Sequence, residues 1–400
     1  MPHGASPGLL DPAAQSISTT TPRALAVALV TVAAFLDLVA YSIAVPILPD
    51  LSRRLGASPT TIGLLFSSFG VSLLIVSIPM GAISDRVGRK FLMVVGLLAL
   101  SASSILFAVA NQLPWLFAAR TVQGGADAVT WVVGFALIAD LYGPKERGRV
   151  MGLVMSGTTF GLMVGPSIGG WLYERGGPGL PFFSVAGLSG LTALAFVTLR
   201  LPAEHADRET VSARRVVREP KILLCGVVVV VAASTVAMLE PVLALWLASS
   251  IRLTPSRIGL VFGAAAAVAT GLHPLYGRLA DRFGSRLVTL IGLMLMALTL
   301  PVLSRAWSFE SAVLLYVIQG AAIALVVTPS LAYMAESTSN AGVGSFGVAY
   351  GIYNVAWGAG LMVGPAVGGF LYEQMGFERL TLVWMPVVVL IGIILFRRKV

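Results

Sequence analysis

Charge is scarce in this 400-residue chain: Asp, Glu, Lys and Arg together make up 11% of it, against roughly 25% in soluble proteins. Cysteine is nearly absent. Cys225 stands alone, which excludes a disulfide framework and any Cys-cluster metal site. The chain also lacks a G-x-x-x-x-G-K-[ST] loop, an H-E-x-x-H helix and a strand-borne G-x-G-x-x-G, so ATP hydrolysis, zinc proteolysis and dinucleotide chemistry have no support. No enzyme activity, cofactor or metal is expected, and any work the protein does must draw on energy from elsewhere. What is abundant is apolar surface, with 57% hydrophobic residues and a mean hydropathy of +0.89. These values describe a membrane protein.

Crossing ~30 Å of hydrocarbon takes about 20 apolar residues in a helix, and twelve such runs are present. The reading is an all-α membrane protein of twelve spans. Residues 1–23 form a Pro-, Ser- and Thr-rich tail that does not read as a cleaved signal peptide. Six spans follow in 24–200, a polar linker in 201–221, six more spans in 222–396, and a short tail in 397–400. The net charge of +9 does not point to nucleic acid, because Lys and Arg sit in clusters between apolar runs rather than on one basic face. Most of those clusters fall on one side of the membrane, which places both termini in the cytoplasm of a cell-membrane protein.

The two sets of six spans repeat one another. Pro59-Thr60-Thr61-Ile62-Gly63-Leu64-Leu65-Phe66 returns as Pro255-Ser256-Arg257-Ile258-Gly259-Leu260-Val261-Phe262, and Gln123-Gly124 as Gln319-Gly320. Gly165-Pro166-Ser167-Ile168-Gly169-Gly170-Trp171-Leu172-Tyr173-Glu174 returns as Gly364-Pro365-Ala366-Val367-Gly368-Gly369-Phe370-Leu371-Tyr372-Glu373. Two six-helix halves rocking about a midplane site follow from such an arrangement.

Gly81, Asp85, Arg86, Gly88, Arg89 and Lys90, between spans 2 and 3, resemble the cytoplasmic loop motif of the major facilitator superfamily, and a degenerate copy runs from Gly277 to Arg286. The glycines let helix ends approach, and Asp85 can accept charge-assisted hydrogen bonds, as in a gating latch. Asp140 and Glu336, in equivalent places, are expected to join it. In span 5, Gly157, Gly161, Gly165, Pro166, Gly169 and Gly170 form a stripe suited to close helix contact. It is similar to the motif of that superfamily's drug/proton antiporters. Phe35-Leu36-Asp37 with Ala44 to Pro49, and Leu239-Glu240-Pro241 with Trp246, resemble the vesicular amine and acetylcholine transporters and their bacterial relatives. The resemblance implies that Asp37 and Glu240 take part in cation recognition and proton coupling. Departures are Phe69 where a lysine is expected, Val327 and Asn354 where acids are expected, and Leu38 after the span 1 acid.

Ionisable residues inside spans cost at least ~2.5 kcal/mol and are functional candidates by default. Four are clear: Asp37, Asp127, Glu240 and Arg120. Arg120, Gln123, Gly124 and Asp127 share one face of span 4, where Arg120 with Gln123-Gly124 resembles a superfamily motif assigned to proton transfer. Asp127 has two readings, a transport acid or a fixed ion pair with Arg120 or another helix. His273 reads as a packing histidine. Tyr41, Phe66, Trp131, Trp246, Tyr350 and Trp357, with Asn354, complete the expected site, since aromatic faces attract organic cations. The sequence thus leads to a proton-coupled antiporter of lipophilic organic cations, monomeric, with protons and lipid as its other partners. A carrier of neutral solutes and a non-transporting sensor on the same scaffold remain open.

Overall fold

The computed structural model describes residues 12–199, 220–340 and 346–397, and all regular structure among them is helical. Eleven helices are long and apolar enough to cross a membrane. The last, Phe346–Arg397, is two helices in series across Gly376, whose φ of 78° breaks the helical run. Twelve spans result, numbered α1 (Pro12–Ser42), α2 (Pro59–Val87), α3 (Arg89–Val109), α4 (Leu113–Leu141), α5 (Pro144–Gly176), α6 (Leu180–Thr198), α7 (Pro220–Ser250), α8 (Pro255–Phe283), α9 (Ser285–Thr299), α10 (Phe309–Asn340), α11 (346–375) and α12 (377–397). Helix α1 begins well inside the segment expected as a tail, and α5 and α7 likewise start before their apolar runs. A helix continues past the bilayer edge wherever its backbone has no reason to stop. Most of the expected linker, 201–219, lies outside the described residues.

Local chemistry fixes the ends. Pro stands in the first turn of α2, α4, α5, α6 and α8, where its missing N–H is no loss. Gly88 and Gly284 turn α2 into α3 and α8 into α9 at φ of 98° and 88°, a conformation that side chains resist. The face bearing these turns is the terminal side; the opposite face, where α2 and α8 begin, is the far side.

The halves form two bundles that meet along two helix pairs, α2 with α11 and α5 with α8. Small residues permit the approach. A β-carbon on Gly63 would overlap the Pro365 carbonyl, one on Gly259 the Pro166 carbonyl, and one on Gly170 the Pro255 carbonyl. The same stripe of α5 also seats α1: Gly157 lies against Thr31, Gly161 against Phe35, Gly165 against Val39 and Ser42, and Gly169 against Ile43. Nearer the terminal side the pairs diverge, for Gly81, Gly148, Gly152, Gly271 and Gly277 have open space where a β-carbon would stand. Buried apolar packing tells the same story. One cluster runs from Leu36, Ile47 and Phe66 across the boundary to Leu239, Val242 and Val261. A second, containing Val30, Met93, Val133 and Phe196, stays within the first bundle toward the terminal side. Among the described residues, the bundles are therefore in close backbone contact toward the far side and lack such contact toward the terminal side.

The far-side closure ends in two crossed caps. Glu174, in the last turn of α5, accepts a hydrogen bond from the Ser256 N–H at the start of α8 (2.9 Å). Glu373, its repeat partner on α11, accepts one from the Thr60 N–H at the start of α2 (2.9 Å). Each bundle thus supplies a carboxylate to a helix N-terminus of the other, where free N–H groups and the helix dipole favour negative charge. Nearby, Tyr173 donates a hydrogen bond to Asp50, tying the short helix Leu48–Leu55 to α5.

Two outcomes follow. Replacing both Glu174 and Glu373 by Ala removes about 1 kcal/mol per cap, roughly a fivefold fall each in the closed-to-open ratio at the far side. Spin-label distances between the exposed Arg53 and Arg305 positions are expected to lengthen accordingly. On the same measurement Gly259→Ala holds the far side open, whereas Gly277→Ala leaves the distances unchanged.

Candidate functional site

Helices α1 and α4 run antiparallel and touch where Val30 packs beside Gly134. Two turns toward the far side on each helix stand Asp37 and Asp127, so the register sets the two acids opposite one another, within Coulombic reach. Asp37 is 2% exposed, and neither of its carboxyl oxygens makes a close hydrogen bond; the Thr130 side chain lies beside the carboxyl group and interacts with it. Trp131, adjoining Asp127, stacks on Phe135 with centroids 5.4 Å apart.

Arg120 is fully buried one to two turns further out. It does not turn to Asp127, which removes the ion-pair reading of that acid with Arg120. Its Nη1 donates to Gln123 Oε1 (2.7 Å), and Nη1 and Nη2 reach the Tyr41 carbonyl at 3.4 and 3.3 Å. The guanidinium lies 4.1 Å from the Phe66 centroid and 5.6 Å from that of Phe107, and its charge faces Glu240. Glu240, on α7 of the other bundle, accepts a hydrogen bond from the Tyr41 hydroxyl. The Tyr41 ring packs 4.9 Å from Phe69 and 6.1 Å from Phe66. Two electrostatic units result: an acid pair on α1 and α4, and an Arg120–Tyr41–Glu240 unit that joins the bundles.

The remaining expected residues divide. Trp357 stacks on Tyr353, with centroids 6.2 Å apart, and Asn354 is half-buried on the same helix. The side chain of Tyr350 lies outside the described residues. Trp246 stacks on Phe377 of α12 at 4.7 Å and lines a hollow with Tyr316, which lies within Coulombic reach of Glu240. His273 Nδ1 hydrogen-bonds Thr328 (2.6 Å) between α8 and α10. Phe107 and Thr130 carried no signal in the sequence, since a lone Phe or Thr in an apolar run fits any packing role. The hydroxyl target of Tyr41 was equally hidden, being on a helix of the other bundle.

The loop motif is built within one bundle. Arg89 pairs with Asp140 (2.6 Å) and Asp85 (2.9 Å) and donates to Ser84, while Lys90 caps the Val197 and Leu199 carbonyls at the end of α6 (2.8 and 2.6 Å). In the second bundle Glu336 accepts from Ser285 (2.6 Å), and Arg286 takes the place of Lys90 by donating to the Leu395 carbonyl. Asp140 and Glu336 therefore occupy matching places, one with an arginine and one with a serine.

A family model described as the Major Facilitator Superfamily matches residues 30–238 and 225–400. The MFS-type transporter SLC18B1 of Homo sapiens is 28% identical over 366 residues, covering 86% of this chain and 79% of that protein. The probable vesicular acetylcholine transporter-B of Danio rerio is 30% identical over 381 residues, covering 90% and 76%, and the chromaffin granule amine transporter of Rattus norvegicus is 29% identical over 332 residues, covering 82% and 63%. Among solved structures, a bacterial homolog of the human lysosomal transporter Spinster, inward-facing and occupied, superposes with a TM-score of 0.83 at 16% identity, covering 94% of this chain and 96% of that one, which shows a shared fold. A two-bundle fold of twelve spans, acids buried between its helices and a family match along nearly the whole chain lead to one conclusion: the chain belongs to the Major Facilitator Superfamily and is a multi-pass membrane transporter related to the vesicular amine transporters.

Proposed function

We propose that this transporter is a proton-coupled antiporter that exports lipophilic organic cations, amine-like or drug-like, by alternating access. It works as a monomer in the cell membrane, with the terminal side facing the cytoplasm. The observation that carries the reading is the Asp37 carboxyl group, buried beside Thr130 and opposite Asp127 with neither oxygen in a close hydrogen bond. An isolated carboxylate in such a place is costly. Either a proton or a cationic guest removes that cost, and the two compete for the same oxygens. Exchange is the consequence of that competition: a guest that arrives displaces a proton, and a proton that returns displaces the guest.

The surroundings support a cation that is also apolar. Asp127 adds a second negative group opposite Asp37, and Trp131 lies beside Asp127. Aromatic faces add ~0.5–2 kcal/mol each to the binding of a desolvated cation. Arg120, the one positive group among the four intramembrane charges, is engaged by Tyr41 and Gln123 and faces Glu240, so it does not neutralise Asp37. The names of the amine and acetylcholine transporters among the relatives point to the same substrate chemistry. No cofactor is needed, because the proton gradient supplies the energy.

The test is transport of tetraphenylphosphonium and a panel of lipophilic amines in proteoliposomes with an imposed pH gradient. Gradient-driven exchange is expected in the wild type and loss to background in Asp37→Asn, with the variant still folded by its thermal melting profile. Full gradient-driven exchange in Asp37→Asn would remove Asp37 from the mechanism, and flux indifferent to the gradient would favour a carrier of neutral solutes.

A further inference from the structure

We propose that Tyr41 is the bolt of the far-side gate, a positioning residue that keeps Glu240 out of guest binding until the bundles part at that side. The inference rests on the antiporter reading for its guest, but the gate itself is read without one.

Tyr41 belongs to the first bundle and Glu240 to the second, so the hydroxyl–carboxylate bond crosses the boundary that must open. Among the described residues, bonds to backbone groups also cross it: Glu174 to the Ser256 N–H, Glu373 to the Thr60 N–H, and the Ser167 hydroxyl to the Gly259 carbonyl. Each of these uses a backbone group at the meeting of α2 with α11 or α5 with α8. The Tyr41 bond instead joins two buried side chains beside the acid pair. Tyr41 is held from its own bundle: Arg120 donates to its carbonyl at 3.3–3.4 Å, and Phe69 and Phe66 pack against its ring. Glu240 is followed by Pro241 inside α7, where the missing N–H leaves one helical hydrogen bond unmade and gives that helix a point of least resistance.

The consequence is a division of labour between the acids. With the far side closed, Glu240 has a donor in Tyr41 and a counter-charge in Arg120, and an arriving cation would meet Arg120 at that position. Asp37, in the same state, has no close hydrogen bond to either oxygen. Parting the bundles at the far side withdraws Tyr41 and Arg120 together, because both belong to the first bundle and are bonded to each other. Glu240 is then left without its donor and counter-charge in the opened cleft, and a proton or a cation takes their place. Asp37 therefore serves as the loading acid when the protein is open to the terminal side, and Glu240 becomes available only when it is open to the far side.

The test is Tyr41→Phe, which keeps the ring and removes the hydroxyl, read by spin-label distances between positions 53 and 305 with no ligand present. A hydrogen bond to a charged group is strong enough that about a tenfold or greater fall in the closed-to-open ratio is expected. Glu240→Gln weakens the same bond from the other side and shifts the distances in the same direction. Combining the two adds little to either alone, the signature of one shared interaction. Wild-type distances in Tyr41→Phe, or fully additive shifts in the double variant, would overturn the proposal. Should Tyr41→Phe not be recovered folded, unchanged distances in Glu240→Gln alone would overturn it. Because no guest is used, a failure of cation antiport in proteoliposomes and a failure of the bolt are separate results.

Discussion

A charge inside a bilayer has to be answered by something, and that requirement organises this structure more than any packing preference. Arg120 is answered by the Tyr41 carbonyl, Gln123, two phenylalanine faces and the field of Glu240. Glu240 is answered by Tyr41 and Arg120. Asp37 has Thr130 beside it and Asp127 opposite, and neither of its oxygens makes a close hydrogen bond. A hydrogen bond to a charged group contributes about 1.5–3 kcal/mol, so the Tyr41–Glu240 bond resists separation of the bundles at the far side. Asp37 is the acid on which the proposed exchange turns.

Closure itself is a matter of backbone approach. Without a hydrophobic force between helices in lipid, close contact depends on small residues that let main chains meet. The glycines at 63, 170 and 259 meet carbonyls of the opposite bundle, while Gly271 and Gly277, further along α8, meet nothing. The helix pairs are therefore zipped at one end and free at the other, which is the geometry a rocking bundle needs. Carboxylate caps at Glu174 and Glu373 finish the zipped end, and each is weak enough, at about 1 kcal/mol, to be broken in every cycle.

Much of this was legible in the sequence, for reasons that are local. Twelve apolar runs are a matter of length, the repeat is a matter of matching residues, and Asp37, Arg120, Asp127 and Glu240 stand out because charge is rare around them. Span ends were less legible: α1 starts at Pro12 and α5 at Pro144, because polar residues flanking a span do not by themselves end a helix. Partners were the least legible. Helical spacing places Arg120 and Asp127 on one face, which suggested a pair, but the guanidinium bonds Gln123 and the Tyr41 carbonyl and faces Glu240, the last two on other helices. The stacking of Trp246 on Phe377 of α12 was hidden in the same way, since no periodicity within α7 reveals it.

The repeat separates what holds the fold from what does its chemistry. Gln123 and Gln319 correspond, and both use the side chain to tie their helix: Gln123 accepts from Arg120, and Gln319 accepts from Thr299 (2.6 Å). Phe66 and Phe262 correspond as well. In the first bundle Phe66 carries the guanidinium of Arg120 at 4.1 Å; in the second, Tyr316 occupies the place of Arg120 and packs edge-on against Phe262 at 4.9 Å. One architectural slot thus holds a cation over an aromatic ring in one half and an uncharged aromatic pair in the other. Asp127 is likewise matched by Ile323. Symmetric residues are those both halves need in order to pack, cap and turn. In the proposed exchange the charges break the symmetry because a single guest is bound at a time, and doubling every charge would leave more of them to be answered than one proton or one cation can satisfy.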